Sequence, residues 1–274
     1  AALLLAISAQ VALAAGVVGD GTPGSCNDAA IANAFSSGSG VITFSCGAAP
    51  LTIVANTHII GAGETFVVDG NNKIVLDGEG LRQLFIVSSG GTLTLRNITL
   101  TRGGGFSGSV VRNHINGDLT LRNVVLSVNG QDVDDGGAIY NDGLLEVELS
   151  TFSGNQADRR GGAIFNAAGA AASVRTSTFL GNAAADPVAL LGDGAAIYNL
   201  GVLTVDRSTL FANRAKRHGG GIFTSGGSAA VTNSTLVENS ADYDAAGDPV
   251  VNAGGQGGGI HVGAGAGLVL LNDT

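Results

Sequence analysis

Acidic, basic and imidazole side chains of the kind that move protons or hold cations gather at one recurring point of this chain, just ahead of a Gly-Gly phrase. Asp132, Asp134 and Asp135 precede the first phrase, Asp158 and Arg160 the second, Asp193 the third and Arg217-His218 the fourth. Carboxylates converging on one face would suit acid–base cleavage of a glycosidic bond, or a calcium site. Aligned strictly on the phrase, the residue immediately before it is Asp135, then Arg160, then Asp193, then His218. The signs alternate. Opposite charges on adjacent repeats attract mildly, by about 0.2–1 kcal/mol per exposed pair. A ladder of that kind is sufficiently explained as the electrostatics of a repeating surface, without catalysis.

Other candidate chemistry is thinner. His58, His114, His218 and His261 are scattered, and the acidic stretch Asp242, Asp244 and Asp248 has only Ala and Gly around it to hold a cation. No Ser-His-Asp arrangement is assignable. No catalytic, cofactor-binding or metal-binding residue is therefore assigned. Cys26 and Cys46 suit a disulfide in an oxidising compartment better than a metal site, which would want more Cys or His close by. Asn97, Asn233 and Asn272 open N-x-[ST] triplets, which arise often by chance.

The elements that must carry these residues are written as a repeat. Alternating apolar strands followed by Ser-Thr-apolar begin at Leu93, Leu119, Leu145, Ala172, Leu203 and Ala230, and a last one begins at Leu268. The anchors Leu95, Leu121, Val147, Val174, Val205, Val231 and Leu270 are spaced 26, 26, 27, 31, 26 and 39 residues apart. A second phrase starts at Gly136, Gly161, Gly194, Gly219 and Gly257, reading GGAIYN, GGAIFN, GAAIYN, GGGIFT and GGGIHV. A basic period of 26 is too short for a strand, a crossover helix and a return, but suits a coil of two or three short strands. The two larger insertions, after Asn182 and from Ser240 to about Gln256, fall at one place in the repeat, so loops leave the coil at one edge. These features predict an all-β fold, a right-handed parallel β-helix.

Stacked at about 4.8 Å, equivalent residues form columns. Ile139, Ile164, Ile197 and Ile222 make one inward ladder, continued by Ile260, and Phe152, Phe179, Leu210 and Leu236 make another. Asn155, Asn182, Asn213 and Asn239 stack at a corner, and Asn141, Asn166 and Asn199 make a second asparagine column. Tyr140, Phe165, Tyr198 and Phe223 share a column and read as structure. The chain divides into an apolar, signal-peptide-like segment at 1–15, a cap with irregular first coils at 16–92, and regular coils at 93–274 that stop mid-strand. Within the cap, Ile31 and Phe35 lie four apart in the one clear helical pattern, Asp28 to Phe35, which would cover the open end of the core. Strands are expected at Val41 to Phe44, Leu51 to Val54, Thr65 to Val68, Lys73 to Leu76 and Leu84 to Val87.

Composition agrees with a solenoid. The chain has 45 glycines, 4 prolines, no tryptophan and no methionine, yet 45% of its residues are hydrophobic, which argues against disorder. A net charge of −9 with only two lysines, Lys73 and Lys216, argues against nucleic acid or an anionic membrane as partner. No stretch is long and apolar enough for a confident transmembrane span.

With the GGAIYN and GGAIFN phrases and the S-T-F-x-x-N strands in view, the chain resembles bacterial right-handed β-helix proteins with repeats of the polymorphic outer-membrane-protein type. The resemblance runs over nearly the whole chain from about residue 19, and Gly19-Asp-Gly-Thr-Pro through Cys26 and Phe44-Ser-Cys46 resemble the start of related surface proteins. It implies a secreted or cell-surface location and a structural or adhesive, non-enzymatic role. The expected partners are a surface glycan, a host or neighbour-cell protein, or further copies stacking through open β-helix ends into a fibre. The same fold also serves pectate lyases and polygalacturonases, so a polysaccharide lyase or glycoside hydrolase is the alternative. Their Gly-His-Gly and Asp-Asp phrases are echoed only in part, by Arg217-His218-Gly219 and Asp134-Asp135-Gly136.

Overall fold

A computed structural model describes residues 14–130, 133–185, 192–241 and 256–274. Among these, one helix, α1 (Asp28–Ser36), and a short 3-10 turn at Pro23–Ser25 accompany a long series of short strands. The strands wind into a parallel β-helix. A long sheet carries a rung from every coil, from Ala14–Val18 through Thr92–Thr101, Asp118–Ser127 and Leu144–Glu148 to Gly267–Leu271. A second sheet of eight rungs runs from His58–Ile60 to Ile260–Val262, and a third holds four two-residue strands, Gln156–Ala157 to Ser240–Ala241.

The repeat spacing becomes register. Leu95 pairs with Leu121, Leu121 with Val147, Val147 with Val174, and so on to Val231 with Leu270. Residues of even spacing therefore point inward in every coil. Ile139, Ile164, Ile197 and Ile222 are fully buried in one column, and Phe152, Phe179 and Leu210 in another. The Phe152 and Phe179 rings stack at 4.6 Å, nearly parallel.

Polar groups inside the coil are spent on one another. Asn129, Asn155, Asn182, Asn213 and Asn239 form a chain in which each Nδ2 donates to the Oδ1 of the next coil, at 2.8–2.9 Å. Asn113, Asn141, Asn166 and Asn199 repeat the device at a second corner, and Thr224 Oγ1 receives the last amide at 3.0 Å. A third ladder was not read from the sequence. The backbone N–H of Ser150, Ser177 and Ser208 each donates to the serine Oγ one coil on, at 3.1 Å. Beside it, Asn97, Asn123, Leu149, Thr176, Arg207, Asn233 and Asn272 take positive φ of 49–57° at one bend. Asparagine tolerates that conformation well, which gives the asparagines of the three N-x-[ST] triplets a backbone reason to be there.

The Gly-Gly phrase has a steric cause. Gly161 sits at φ +66°, and a Cβ on Gly162 would stand 2.2 Å from the Ala183 carbonyl oxygen of the next coil. No side chain fits there.

The first coils differ from the rest. α1 begins where the Asn27 side chain accepts from Ala30 N at 3.0 Å, and it lays Ile31 and Ala34 over the end of the core. Cys26 and Cys46 form a disulfide beside it. Ala14 and Ala15, the last residues of the apolar run, open the first strand, which pairs with Gly40–Phe44; the remainder of the run lies outside the described residues. The strand His58–Ile60 was also unforeseen. Among the described residues, no helix is long and apolar enough to cross a membrane.

Candidate functional site

The charge column lies on the third side of the coil, where Asp135, Arg160, Asp193, His218 and Gln256 follow one another as single parallel bridges. Arg160 grips Asp135 with two bonds, Nε to Oδ1 at 2.7 Å and Nη2 to Oδ2 at 2.6 Å. Asp193 is held from the next coil instead, by Arg217 at 3.0 and 2.5 Å and by His218 Nδ1 at 2.9 Å. Both carboxylates are buried, at 6% and 2% residual exposure. The Asp135 hydrogen bonds raise the Arg160 pKa above its usual value, and those of Asp193 do the same for Arg217. These forked, half-buried pairs are short and directional, and removing one partner would leave a buried charge unpaired. The column keeps carboxylates apart rather than bringing them together, since Arg160 stands between Asp135 and Asp193.

Asp132 and the stretch Asp242, Asp244 and Asp248 lie outside the described residues. His58 belongs to the cap, His114 to a turn, and the His218 and His261 rings meet at 4.8 Å. Among the described residues no three His, Cys, Asp or Glu side chains are grouped to hold a metal ion.

Outside the second sheet stands a stack of rings. Tyr140, Phe165, Tyr198, Phe223 and His261 follow at centroid spacings of 4.5, 5.4, 4.7 and 5.1 Å. Arg112 lies 3.5 Å over Tyr140, and Arg160 lies 4.8 Å over Phe165. Stacking and the arginines leave Phe165 only 2% exposed although it points out of the coil. Burial pushes the Tyr140 and Tyr198 hydroxyls up in pKa. The same column continues toward the cap as Arg112, Ile86 and Ile59.

The outer face of the long sheet carries a second charge column that sequence reasoning missed. Asp69, Arg96, Arg122, Glu148, Arg175 and Asp206 are in register on successive coils. Its signal was present in the outward positions of the alternating strands. Arg96 reaches Asp69 at 2.8 Å, while Arg122 and Glu148 stand 3.9 Å apart. Thr120, Arg122, Glu146, Glu148, Ser173 and Arg175 surround a hollow of about 110 Å3. Beside it, burial and the Glu146 charge raise the Asp118 carboxyl above its usual pKa.

Two larger clefts flank one ion pair. Arg112 Nη2 meets Asp142 Oδ2 at 2.8 Å. Arg112 lines a cleft of about 460 Å3 with Gln83, Ile86, Phe106 and Ser107, and Asp142 lines one of about 550 Å3 whose wall includes Asp118 and Leu144.

No curated protein and no solved structure matches the chain. Residues 150–167, the segment from the serine ladder through GGAIFN, match the Chlamydia polymorphic membrane protein repeat, so the solenoid contains a repeat of that type.

Proposed function

We propose that the chain is an extracellular, surface-displayed solenoid of a bacterium, with an adhesive or structural role rather than an enzymatic one. The observation that carries this reading is the internal use of the repeated polar residues: the asparagine and serine ladders and the Asp135–Arg160 and Asp193–Arg217 pairs bond to one another. A coil so satisfied is a rigid rod, and its outward positions are free to vary and to recognise. The polymorphic membrane protein repeat at 150–167 supports display at a membrane surface.

Two measurements test it together. Antibodies raised against the chain should label intact cells without permeabilisation, and beads coated with the chain should adhere to host or neighbouring cells. Labelling that requires lysis would contradict display; bare and coated beads adhering equally would contradict adhesion.

End-to-end association belongs to the same reading. The long sheet is built by one parallel rung accepting the next, and a rung from a second copy would pair through the same backbone bonds. Concentration-dependent growth in sedimentation velocity is expected, and a monomer at all concentrations would count against it.

A second reading, polysaccharide hydrolysis, has one observation in its favour. Asp118 and Glu146 occupy diagonal positions on the outer face, and Asp118 has the raised pKa of a general acid. Release of reducing ends from plant or bacterial polysaccharides, abolished by Asp118→Asn, would establish it.

A further inference from the structure

The outward column of the second sheet changes character at Arg112. From Tyr140 onward the rings are closed by stacking and by Arg160. Before it, Ile86 and Ile59 follow without such a cover, and Ile59 is 61% exposed. Beside this transition a loop carries Phe106 at 73% exposure, the most open large apolar side chain among the described residues. A single exposed ring needs no explanation by itself; Phe106 matters because it lines one cleft together with Ile86, Gln83 and Arg112.

The loop is held in place. Gln83, only 6% exposed, donates its amide to the carbonyl oxygens of Ser107 at 3.1 Å and Gly108 at 2.6 Å. Ser107 Oγ accepts from Asp135 N at 3.2 Å. The guanidinium is also fixed, since Arg112 is stacked on Tyr140 and donates from Nη2 to Asp142 Oδ2. The result is a preorganised cleft of about 460 Å3, inside the range of ligand sites. The lining offers the Phe106 ring and the Ile86 side chain as apolar surface, and the Arg112 guanidinium and the Ser107 hydroxyl as polar groups. Asp142 cancels the charge of Arg112, so the cleft has nothing to single out an anion.

A molecule that suits both kinds of group has an apolar C–H face and an equatorial set of hydroxyls, and carries no charge. We propose that this cleft binds a neutral saccharide, with a hexopyranose ring seated on Phe106 and its hydroxyls bonded to Arg112, whose charge Asp142 balances. The proposal rests on the adhesive reading above and names its ligand class.

The test is titration calorimetry of the whole chain with three probes: cellohexaose, maltohexaose and the hexamer of N-acetylglucosamine. At least one should bind, and Phe106→Ala should weaken it by about tenfold or more while leaving the melting temperature unchanged. Arg112→Ala should weaken it as well, and Leu81→Ala, an exposed neighbour outside the cleft, should not. Binding unaltered by Phe106→Ala overturns the site. If none of the three binds while coated beads still adhere to cells, this site is wrong and the adhesive reading stands. If neither sugar binding nor adhesion is seen, both are wrong.

Discussion

Replacing Asn182 probes the device that holds the coils together. Asn182 is fully buried in the middle of its ladder. Its Nδ2 donates to Asn213 Oδ1 at 2.8 Å and to the Phe152 carbonyl at 3.1 Å. Its Oδ1 receives the Asn155 amide at 2.9 Å and the Asn155 backbone N–H at 3.0 Å. Asn182→Ala therefore strands the Asn155 backbone donor, one of its amide protons and the Phe152 carbonyl. Each buried orphan costs about 1–3 kcal/mol, so a loss of about 3–9 kcal/mol is expected. Asn239→Ala, at the part-buried end of the ladder, lets water replace the missing partner and should cost about 1–2 kcal/mol. Asn182→Asp sharpens the argument. A buried carboxylate facing Asn213 Oδ1 and the Phe152 carbonyl cannot donate, and burial raises its pKa in the folded state. The unfolded chain then releases the proton first as pH rises, so the variant is weakest at pH 7 and recovers toward pH 4. Urea unfolding followed by circular dichroism measures all three. A cost below about 1 kcal/mol for Asn182→Ala, or no pH recovery for Asn182→Asp, would refute the reasoning.

Three further outcomes follow from the cap and the Gly-Gly phrase. Reducing Cys26–Cys46 should cost about 3 kcal/mol, and hydrogen exchange should place the loss in residues 15–60 and spare the coils beyond Leu93. Burial against Phe35, opposed only in part by Asp28 at 3.2 Å, holds the His58 imidazole below its usual pKa. The unfolded cap therefore takes up a proton first, and the stability of α1 is full above that value and is lost as pH falls below it. The protection factors of Asp28–Ser36, with the intrinsic pH dependence of exchange divided out, should fall between pH 7.5 and 5.5 in the native chain and lose most of that dependence in His58→Phe. Gly162→Ala places a methyl group against the Ala183 and Ala195 carbonyls, at 2.2 and 2.4 Å, and should lower stability by about 3 kcal/mol in thermal melts, whereas Gly169→Ala, with open space around it, costs only the strain of its φ of +85°.

What could be read from the chain alone was whatever repeats. The Leu95-to-Leu270 anchors fall into register because a coil cannot change length without moving its loops, so spacing translates directly into stacking. α1 was legible from Ile31 and Phe35, since an amphipathic turn is a local signal. His58–Ile60 was not, because three residues give no alternation to count. Ala14–Val18 lay hidden within an apolar run that reads equally well as an export signal. The left-handed bend at Leu149, Thr176 and Arg207 escaped notice because those residue types do not favour it; only its asparagine members hint at it. The order Asp135, Arg160, Asp193, His218 was visible in the alignment, but the choice of partner was not. Arg217, one position off the column, supplies the forked pair to Asp193. Phe106 gave no signal at all, being a single ring in a glycine-rich loop whose exposure depends on Gln83 holding it from the coil before.

The account stands on coils stacked in parallel register, and one distance tests that most directly. Thr94, Thr120, Glu146, Ser173, Thr204 and Ala230 point outward from successive rungs of the long sheet. Nitroxide labels on Thr94→Cys and Ala230→Cys are thus separated by five rungs, or about 24 Å at 4.8 Å per rung. Double electron–electron resonance should give a single narrow distribution near that value. A broad distribution, or one centred beyond about 40 Å, would contradict the stacked solenoid on which every site described above depends.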